Sequence, residues 1–571
     1  MQPAPSNRLF FRISGEARNG GRFVLYWMQI HRRLQHNHAL QHAAHMAETL
    51  GLPLLIYEGL RPDYPHASLR FHSFILDGMA EHWQHFQKAG GLLLPVDLSE
   101  QDSASAVQTM KPLSSAAHYL PFVPRNAEEA KGFLKTLCKH AAAVVSDEFP
   151  AFIVPGQNRA LMKQLQEGGG KKESGGPQEG GDREGSRGQQ EKTGPIPFIT
   201  VDANGIIPLQ ETQSDAYSAY IFRKTLQKKF ARCFADFPDE NPIQSRRKKR
   251  PLSLADLGLP DKFLDSLCRT HILLRRWALF SSDPGPGSSA QGHGTAGEDQ
   301  RSAKPEEGAN ILHGFGLDEQ VGILSISGST AAARRQSAHF MEQMHRYTEE
   351  RNHPDAGATS GLSPYLHFGK ISIHEVVRDI LEKYELEDRC RALVYNNGSK
   401  GFFPGPPEVD AFLDEALTWR ETGYHFCFHR ADYDKYESLP DWALRTLEEH
   451  KKDRREHLYN LDQLESASTY DEIWNAAQRE LMQTGKIHNY LRMLWGKKIL
   501  EWSKSPKQAL ETTLHLNNKY SIDGRNPNSY SGVFWIFGRF DRPWQERDVF
   551  GKIRYMSSEQ TRKKVRLKEY L

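Results

Sequence analysis

Short apolar runs alternate with amphipathic segments before residue 156, and this alternation constrains the fold more than any other feature. The runs rich in β-forming residues stand at 23–30, 52–60 and 141–149. Helical periodicity occupies 36–50 and 70–89 between them. Strands joined by helices of this length form βαβ units, so the pattern predicts an α/β domain with a mostly parallel, Rossmann-like sheet. The run at 197–209 is expected to rejoin that sheet.

The chain changes character near residue 311, beyond which the periodicity is helical. Long helical segments are predicted at 329–349, 371–385, 408–424, 472–484 and 487–504. Two stretches rich in Gly, Ser, Glu and Pro interrupt the chain, and such compositions bury too little apolar surface to become ordered. The predicted organisation is an α/β domain at 20–155, a disordered Gly-rich insertion at 156–194, the end of that domain with a connector at 195–280, a disordered linker at 281–310 and a larger all-α domain at 311–571.

Composition excludes several broad classes of protein. Hydrophobic residues make up 38% of the 571 residues and charged residues 25%, which is incompatible with collagen, a coiled-coil rod or a wholly disordered chain. No apolar run reaches the ~18 residues of a membrane-spanning helix, so no membrane association is predicted. The net charge is only +3, and five cysteines without a CxxC pair favour a reducing compartment.

A dense basic run, RRKKR from Arg246 to Arg250, is the main candidate for a targeting signal. Such a run fits nuclear import, contact with a phosphate backbone or a solvated surface, and its sequence does not separate these. Nuclear localisation is the expectation. Arg8, Arg12 and Arg18 near the N-terminus leave mitochondrial targeting as an alternative.

Three histidines, His38, His42 and His45, are spaced so that they share one face of a helix. Two imidazoles placed in this way can bind a metal ion. However, no HExxH pattern is present, and no nearby cysteine or acid completes a ligand set. A solvent-facing, histidine-rich helix is therefore the preferred interpretation, and no metal site is predicted.

The segment ATSGLSPYLHFGKIS, at 358–372, combines hydroxyl groups, a glycine and a proline at the start of a predicted helix. Small residues let the backbone approach a ligand closely, and free N–H groups at a helix start suit a phosphate. An ordinary N-capped helix explains the same spacing, so both interpretations stay open.

Most of the ten tryptophans lie beyond residue 418. Trp495 and Trp502 are spaced so that they share one face of a helix, and Arg492 lies on the same stripe. Core packing explains any single tryptophan. A buried arginine among aromatic residues requires an anionic partner, however, and Asp523 in the loop SIDGRNPN is the nearest candidate.

Six blocks of sequence, taken in order, resemble class II cyclobutane pyrimidine dimer photolyases of the photolyase/cryptochrome family. They are YWMQIHRRLQHNHAL, YTEERNHPDAGATSGLSPYLHFGKIS, PDWALRTLEEHKKDRREHLYNLDQLESASTYDEIWNAAQ, TGKIHNYLRMLWGKKILEW, LNNKYSIDGRNPNSYSGVFW and VFGKIRYM. The resemblance runs from residue 22 to 561, interrupted by the two linkers and by a divergent stretch near 385–410. It implies a monomeric enzyme that acts on UV-damaged DNA with FAD, and an antenna-type α/β domain whose second chromophore is unknown.

The resemblance implies that FAD lies in a bent conformation within the helical domain. Residues that match the cofactor-binding positions of the family are Tyr347, Thr359, Ser360, Gly361, Leu362, Ser363, Asn489, Arg492 and Asp523. In the family the last two form an ion pair beside the isoalloxazine. Asn517 matches a class II asparagine near flavin N5, which tunes the protonation and redox state of the ring.

The resemblance also assigns a role to the tryptophans. Trp495, Trp474 and Trp502, with Tyr459, match the class II set of electron-transfer residues, and their spacings agree with that set. Indole loses an electron readily, so a chain of such rings could reduce the flavin again from solvent.

Five further residues match the lesion pocket of the family: Glu415, Trp419, Met493, Trp535 and Trp544. The first three, with Asn517, are the implied catalytic residues. The implied reaction is light-driven: photoexcited FADH⁻ gives an electron to the dimer, the cyclobutane ring splits, and the electron returns. The alternative is a cryptochrome-like blue-light receptor without repair activity.

Two departures from the class fall near the expected DNA face. Glu375 stands where the class usually carries an arginine, and a carboxylate there would repel phosphate. The step Gly538-Arg539-Phe540-Asp541 replaces a common Gly-Val-His-Asp step. The charge of Arg539 could offset Glu375, and repair affinity is the property that these changes would weaken.

Overall fold

The computed structural model describes residues 2–94, 115, 117–168, 194–244, 250–281, 305–398 and 400–571. Six strands lie in the first part: β1 Leu9–Ile13, β2 Phe23–Met28, β3 Leu54–Gly59, β4 Ala117–Phe122, β5 Ala141–Glu148 and β6 Phe198–Asp202. They form one sheet in the order β1-β6-β5-β2-β3-β4. Every neighbouring pair is parallel except β1 with β6. The predicted mostly parallel sheet, with the run at 197–209 rejoining it, is therefore confirmed.

The α-helices are numbered here in chain order within the described residues. The earlier ones are α1 His38–Leu50, α2 Leu69–Lys88, α3 Ala127–Ala130, α4 Phe133–His140, α5 Val154–Gly168, α6 Ala219–Ala235 and α7 Asp261–Phe280. The helical domain contains α8 Pro305–Ile311, α9 Thr330–Gln343, α10 Tyr347–Glu350, α11 Ser363–His367, α12 Ile373–Lys383, α13 Glu387–Arg391, α14 Pro407–Leu413, α15 Arg420–His429, α16 Asp441–Glu449, α17 Leu461–Glu465, α18 Glu472–Thr484, α19 Asn489–Trp502, α20 Pro506–Tyr520, α21 Pro527–Ile536 and α22 Ser558–Lys564. A π-helical segment, Asp414–Trp419, joins α14 to α15. Of the helices in the described ranges, none is long and apolar enough to cross a membrane.

Both faces of the sheet are buried, as the central strand β2 illustrates. Tyr26 and Met28 pack into a core shared with α1 and α2, whereas Phe23 and Leu25 pack into a second core with Leu264 of α7. The residues of a strand point alternately to the two faces. Covering both faces with helices is typical of parallel sheets, which explains the uninterrupted apolar runs of the sequence.

Two strands have no counterpart among the sequence predictions. β4 contains Pro121, which cannot donate a hydrogen bond to a strand ladder and usually argues against a strand. The residue is tolerated because β4 is the last strand on its side of the sheet. β1 is the other outer strand and pairs antiparallel with β6, which no βαβ pattern would predict.

The predicted disordered segments overlap two helices. The insertion predicted at 156–194 was wrong for 156–168, because α5 covers this part and buries Leu161 and Leu165 in the core. α8 begins at Pro305, inside the linker predicted at 281–310. The remainder of both predictions, at 169–193 and 282–304, lies outside the described residues, as does 246–249 of the basic run.

α1 does not present its histidines to solvent as predicted. His38 and His42 are buried, and the His38 ring lies 5.3 Å from the His374 ring of α12. The prediction was wrong because α1 packs between the sheet and the helical domain. Burial lowers the pKa of both imidazoles below the usual value, so they are neutral at pH 7. Among the described residues, no group of three or more His, Cys, Asp or Glu side chains could hold a metal ion.

Two glycines let the helices that carry predicted site residues approach closely. A Cβ atom at Gly423 of α15 would lie 2.7 Å from Ser531 Oγ of α21. A Cβ atom at Gly496 of α19 would lie only 2.1 Å from Ile536 Cδ1, also of α21. Because such separations are too short for any larger residue, α21 packs tightly against both α15 and α19.

Candidate functional site

Three of the predicted electron-transfer residues form a row of rings. Trp495 of α19 and Trp474 of α18 are stacked with ring centroids 6.5 Å apart, and the Trp502 centroid lies 5.5 Å from that of Trp474. All three are buried, and Met493 is partly buried against the same core. The row forms because α18 ends at Gly485, whose φ of 71° suits glycine, and α19 then returns beside it.

Hydrogen bonds fix the two inner indoles. Trp495 Nε1 donates to Gln478 Oε1 at 2.9 Å, and Trp474 Nε1 donates to the Trp495 carbonyl at 3.0 Å. Tyr459 continues the row, with its ring centroid 5.2 Å from that of Trp502. The structure thus brings all four residues together in the order Trp495, Trp474, Trp502, Tyr459. The half-buried tyrosine forms the end nearest to solvent.

An ion pair lies near the inner end of the row. Arg492 precedes Trp495 by one turn of α19, and its guanidinium is 3.9 Å from the Asp523 carboxylate. Asp523 also accepts hydrogen bonds from the hydroxyls of Ser521 and Ser363. Burial opposes ionisation of Asp523, but Arg492 and the two hydroxyls hold its pKa below the usual value. The carboxylate is therefore charged at neutral pH.

The hydroxyl-rich segment 358–363 ends beside this ion pair. α11 begins at Ser363, and its cap residue Leu362 makes no side-chain capping hydrogen bond. An ordinary side-chain cap therefore does not explain the segment, because the Ser363 hydroxyl is directed to the carboxylate instead. Gly361 has a φ of 65°, and Thr359 is exposed. The backbone conformation thus requires the glycine and leaves hydroxyls accessible.

The remaining predicted cofactor residues lie on neighbouring elements. Asn517 of α20 donates from Nδ2 to Ser529 Oγ at 2.9 Å, which fixes the orientation of its amide. Asn489 is the exposed first residue of α19. The Ser360 carbonyl accepts a hydrogen bond from a glutamine of α9 at 2.9 Å. Tyr347, in α10, is buried.

The chemistry of this polar set suits a flavin dinucleotide. The Thr359 hydroxyl and the Arg492 guanidinium can donate to phosphate or ring oxygens, whereas the Asp523 carboxylate can accept from ring or ribityl donors. Within the described part of the chain, the buried Nδ1 of His488, at the start of α19, has no hydrogen-bond partner. Buried polar atoms are normally paired, so a polar ligand is expected here.

Glu415 and Trp419 lie on the π-helical segment between α14 and α15. π turns are rare and occur frequently at functional sites. Arg351 donates from Nη1 to Glu415 Oε1 at 2.7 Å. Burial raises the pKa of Glu415, although Arg351 opposes this. Sequence reasoning missed Arg351, because no local pattern links it to a carboxylate so distant in the chain.

Cations surround the two outer tryptophans. Arg554 Cζ lies 5.4 Å from the Trp535 centroid and 4.8 Å from the Trp544 centroid. Arg542 Cζ is 5.2 Å from Trp544, and Lys497 Nζ is 5.3 Å from Trp535. Trp544 is 38% exposed, so the cluster faces solvent. Sequence reasoning missed both arginines, although basic and aromatic residues interleave in DRPWQER and KIRYM.

The two departures from the class place no unpaired charge at the surface. Glu375 is buried in α12 and accepts from Arg334 Nε at 2.6 Å. Arg539 is also buried, forms an ion pair with Asp215 and donates to the Ser438 carbonyl at 2.5 Å. The expectation that Glu375 repels phosphate and that Arg539 offsets it was wrong, because each charge has its own partner within the fold.

Curated relatives match almost the whole chain. The deoxyribodipyrimidine photo-lyase of Methanothermobacter thermautotrophicus is 30% identical over 554 residues, which cover 96% of this chain and 94% of that protein. The chain belongs to the deoxyribodipyrimidine photo-lyase family. A protein of the same name from Potorous tridactylus is 28% identical over 550 residues, covering 96% of this chain and 80% of that one.

The fold of this photo-lyase family member is similar to that of a solved structure. The crystal structure of a cryptochrome from Synechocystis covers 95% of this chain with a TM-score of 0.56, at 14% identity. No protein-family model matches the chain. The family and enzyme class predicted from the six sequence blocks are confirmed. The class II assignment and the roles of individual residues stay predictions.

Proposed function

We propose that the chain repairs UV-damaged DNA by splitting cyclobutane pyrimidine dimers in a light-dependent reaction that uses FAD. The observation that carries this proposal is the row of rings from Trp495 to Tyr459, which begins one helical turn from Arg492. Closely spaced indoles can pass single electrons between a buried cofactor and the surface. Bound as FADH⁻, the cofactor supplies the photoexcited electron that opens the cyclobutane ring.

The chain holds and tunes this cofactor through its own polar groups. The Arg492 guanidinium and the Asp523 carboxylate bind the flavin ring, and Thr359 binds a phosphate. Ser363 donates to Asp523 and positions that carboxylate. Asn517, fixed by its hydrogen bond to Ser529, is assigned to the neighbourhood of the ring. The charge that Asp523 retains at neutral pH keeps the Arg492 guanidinium in place and contributes a fixed field to the site.

The lesion is bound by aromatic walls and a carboxyl group. Trp419, Trp535 and Trp544 offer ring surfaces, and extrusion of a damaged, poorly stacked pair costs only about a few kcal/mol. Arg351 holds the Glu415 carboxyl group in place. A carboxylate can accept a hydrogen bond from a pyrimidine N–H. Arg554 lies where a DNA phosphate would approach.

The α/β domain offers a place for a second chromophore. A cavity of about 640 Å³ lies at the carboxyl ends of β2 and β3, lined by Trp27, Gln29, Tyr57, Phe149 and Arg525. Ligands of open α/β sheets bind beyond the carboxyl ends of the strands, and this volume suits a drug-sized molecule. We assign the cavity to an antenna chromophore of unidentified chemistry. The absorption spectrum of the purified protein tests this, because a second chromophore adds a band that FAD does not have.

A repair assay distinguishes the proposed function from the receptor alternative. Reduced protein and an oligonucleotide containing a thymine dimer are illuminated, and the recovery of base absorbance is followed against a dark control. We expect recovery only in the light. A normal flavin spectrum without recovery would instead support a cryptochrome-like receptor. The arginine-flanked Trp535 and Trp544 favour repair, because a lesion site needs both ring surfaces and phosphate contacts.

The compartment and the oligomeric state belong to the same proposal. We propose that the protein acts as a monomer in the nucleus, with the run from Arg246 to Arg250 as the import signal. Replacing the run by alanines in a fluorescent fusion should move the protein to the cytoplasm. Mitochondrial fluorescence of the unchanged protein would support the other targeting alternative. Light scattering of the purified protein measures the oligomeric state.

A further inference from the structure

A second tyrosine stands beside the outer end of the tryptophan row. Tyr470, in the loop before α18, has its ring centroid 5.7 Å from that of Trp502. The corresponding separation for Tyr459 is 5.2 Å, so the two phenols are almost equally close to the same indole. Tyr470 is 56% exposed, which places it nearer to solvent than the half-buried Tyr459.

Local contacts fix Tyr470 in this position. Its backbone N–H donates to Tyr459 Oη at 3.1 Å, and its ring centroid lies 4.2 Å from that of His457. The next residue, Asp471, caps α18 by accepting from the Trp474 N–H at 3.0 Å. Surface loops are usually mobile, but this one is attached on both sides to residues of the row. The short distance from Tyr470 to Trp502 is therefore a property of the fold.

Charged groups surround the phenol of Tyr470. Lys498 Nζ lies 5.5 Å from the Trp502 centroid and 2.9 Å from a Glu501 oxygen. Burial raises the pKa of Tyr470; Lys498 opposes this, and the carboxylates of Glu501 and Asp471 add to the rise. Because Lys498 and Glu501 form an ion pair, their opposite charges largely offset each other beside the phenol.

We propose that Tyr470 is a second terminal electron donor, so that the tryptophan row branches at Trp502 into two tyrosines. In the proposed step, one electron passes from Tyr470 to the oxidised Trp502, which returns to its neutral closed-shell form. The phenolic proton of Tyr470 passes to solvent water and leaves a neutral tyrosyl radical. A small diffusing thiol then gives a hydrogen atom to the phenoxyl oxygen, and two thiyl radicals combine to a disulfide.

The two branches differ in their access to reductants. The exposed ring of Tyr470 can meet a thiol from solution, whereas the Tyr459 oxygen already accepts the Tyr470 N–H and its ring is less exposed. Tyr470 is thus the branch through which the protein recovers electrons. This inference rests on the proposed function, because light-driven reduction of FAD is what oxidises the row.

The experiment follows radicals in the FAD-loaded protein after a light flash by electron paramagnetic resonance, with ring-deuterated tyrosine to identify tyrosyl signals. Tyr470→Phe, Tyr459→Phe and the double variant keep the ring packing but remove the phenolic O–H. We expect each single variant to lose part of the tyrosyl signal. The double variant should lose it entirely and retain a tryptophanyl signal. The thiol-dependent decay of the radical should slow more in Tyr470→Phe than in Tyr459→Phe.

Tyr217→Phe is the matched control, because Tyr217 is 55% exposed and lies before α6, away from the row. It should behave as the unchanged protein, and melting temperatures show whether the other variants fold. Complete loss of the tyrosyl signal in Tyr459→Phe alone, or unchanged yield and decay in Tyr470→Phe, would overturn the inference while leaving the proposed function intact. No light-induced radical in the unchanged protein would overturn both.

Discussion

Trp474, Trp495 and Trp502 lie in a dry core, whereas Trp535 and Trp544 lie near the surface among cations. The first three are at most 1% exposed, and their rings contact one another. The other two are partly exposed, and arginine or lysine groups stand within 5.4 Å of their rings. Consecutive lysines of α19 contact the two groups, Lys497 at Trp535 and Lys498 at Trp502.

The difference in surroundings supports two proposed purposes for one residue type in a single domain. A cation over an indole is attracted to its π electrons and makes removal of an electron from the ring more costly. Trp535 and Trp544 are therefore poor electron donors. Their faces and neighbouring arginines are instead suited to bases and phosphates. In the buried row, Lys498 beside Trp502 is paired with Glu501, and the stacked rings form the proposed electron path.

Replacing the inner tryptophan should have the largest effect. Trp495→Phe should abolish light-driven reduction of oxidised FAD, because a phenyl ring is much harder to oxidise than an indole. Repair by chemically reduced protein should continue. Trp535→Phe is the matched control and should photoreduce FAD at the rate of the unchanged protein. Absorbance of the flavin under illumination measures photoreduction in both variants. Equal photoreduction in the two variants would remove the distinction between the buried and the surface tryptophans.

Replacing an outer tryptophan should affect DNA and not photoreduction. Trp544→Ala should weaken binding of dimer-containing DNA by about 1–3 kcal/mol, the usual contribution of stacking on one base. Fluorescence anisotropy of a labelled oligonucleotide measures the affinity. Trp544→Phe should recover most of the loss because it restores an aromatic face. Slower photoreduction in Trp544→Ala would instead place this residue on the electron path.

A smaller effect is expected from the arginine between the outer tryptophans. If Arg554 contacts one phosphate, Arg554→Gln should reduce the slope of log affinity against log salt by about 0.9. Arg562→Gln is the matched control, since Arg562 is exposed and pairs with Glu472 of α18. Binding is measured at several salt concentrations. A slope unchanged by Arg554→Gln would assign this arginine to orienting the indoles only.

Elements with a regular period could be predicted from sequence, whereas the edges of the sheet could not. α18 was predicted at 472–484 and occupies Glu472–Thr484, because its apolar residues repeat at helical spacing and Gly485 ends it. β4 was missed because Pro121 and His118 interrupt its apolar character. Its partner β3 lies far from it in the chain, and only the folded sheet shows that an outer strand accepts these residues.

The same distinction applies to the site. Local spacing linked only Trp495 and Trp502, on one helix, whereas Trp474 and Tyr459 were joined to them through the family resemblance. The pairing of Arg351 with Glu415 and the position of Tyr470 depend on where loops return, which no period encodes. Glu375 was misread for this reason: its helix could be predicted, but its burial and its partner Arg334, on another helix, could not.

The consecutive lysines of α19 lie beside different tryptophans. Lys497 contacts the outer group at Trp535, and Lys498 contacts the buried row at Trp502. Lys497 is fully buried beside Trp535, and Lys498 forms an ion pair with Glu501 beside Trp502. Burial lowers the pKa of Lys497 to about 7, with Asp541 opposing and Arg554 adding to the shift. Burial also disfavours the charge of Lys498, but Glu501 raises its pKa above the usual value.

At pH 7 the lowered pKa of Lys497 destabilises the folded protein, whereas the raised pKa of Lys498 stabilises it. The unfolded chain binds a proton at residue 497 more tightly than the folded one, so the destabilisation by Lys497 is complete below pH 7 and disappears as the pH rises towards the ordinary lysine pKa. Lys497→Met should therefore raise the free energy of unfolding at pH 7 by about 1–2 kcal/mol. The pKa shift of Lys497 alone implies a larger gain, but the Ile536 carbonyl loses its hydrogen-bond donor in the variant. The gain should vanish near the ordinary lysine pKa. Lys498→Met removes a stabilising ion pair and should lower the free energy of unfolding at pH 7. Denaturant unfolding at several pH values measures both variants, and a gain independent of pH would show that folding does not lower the pKa of Lys497.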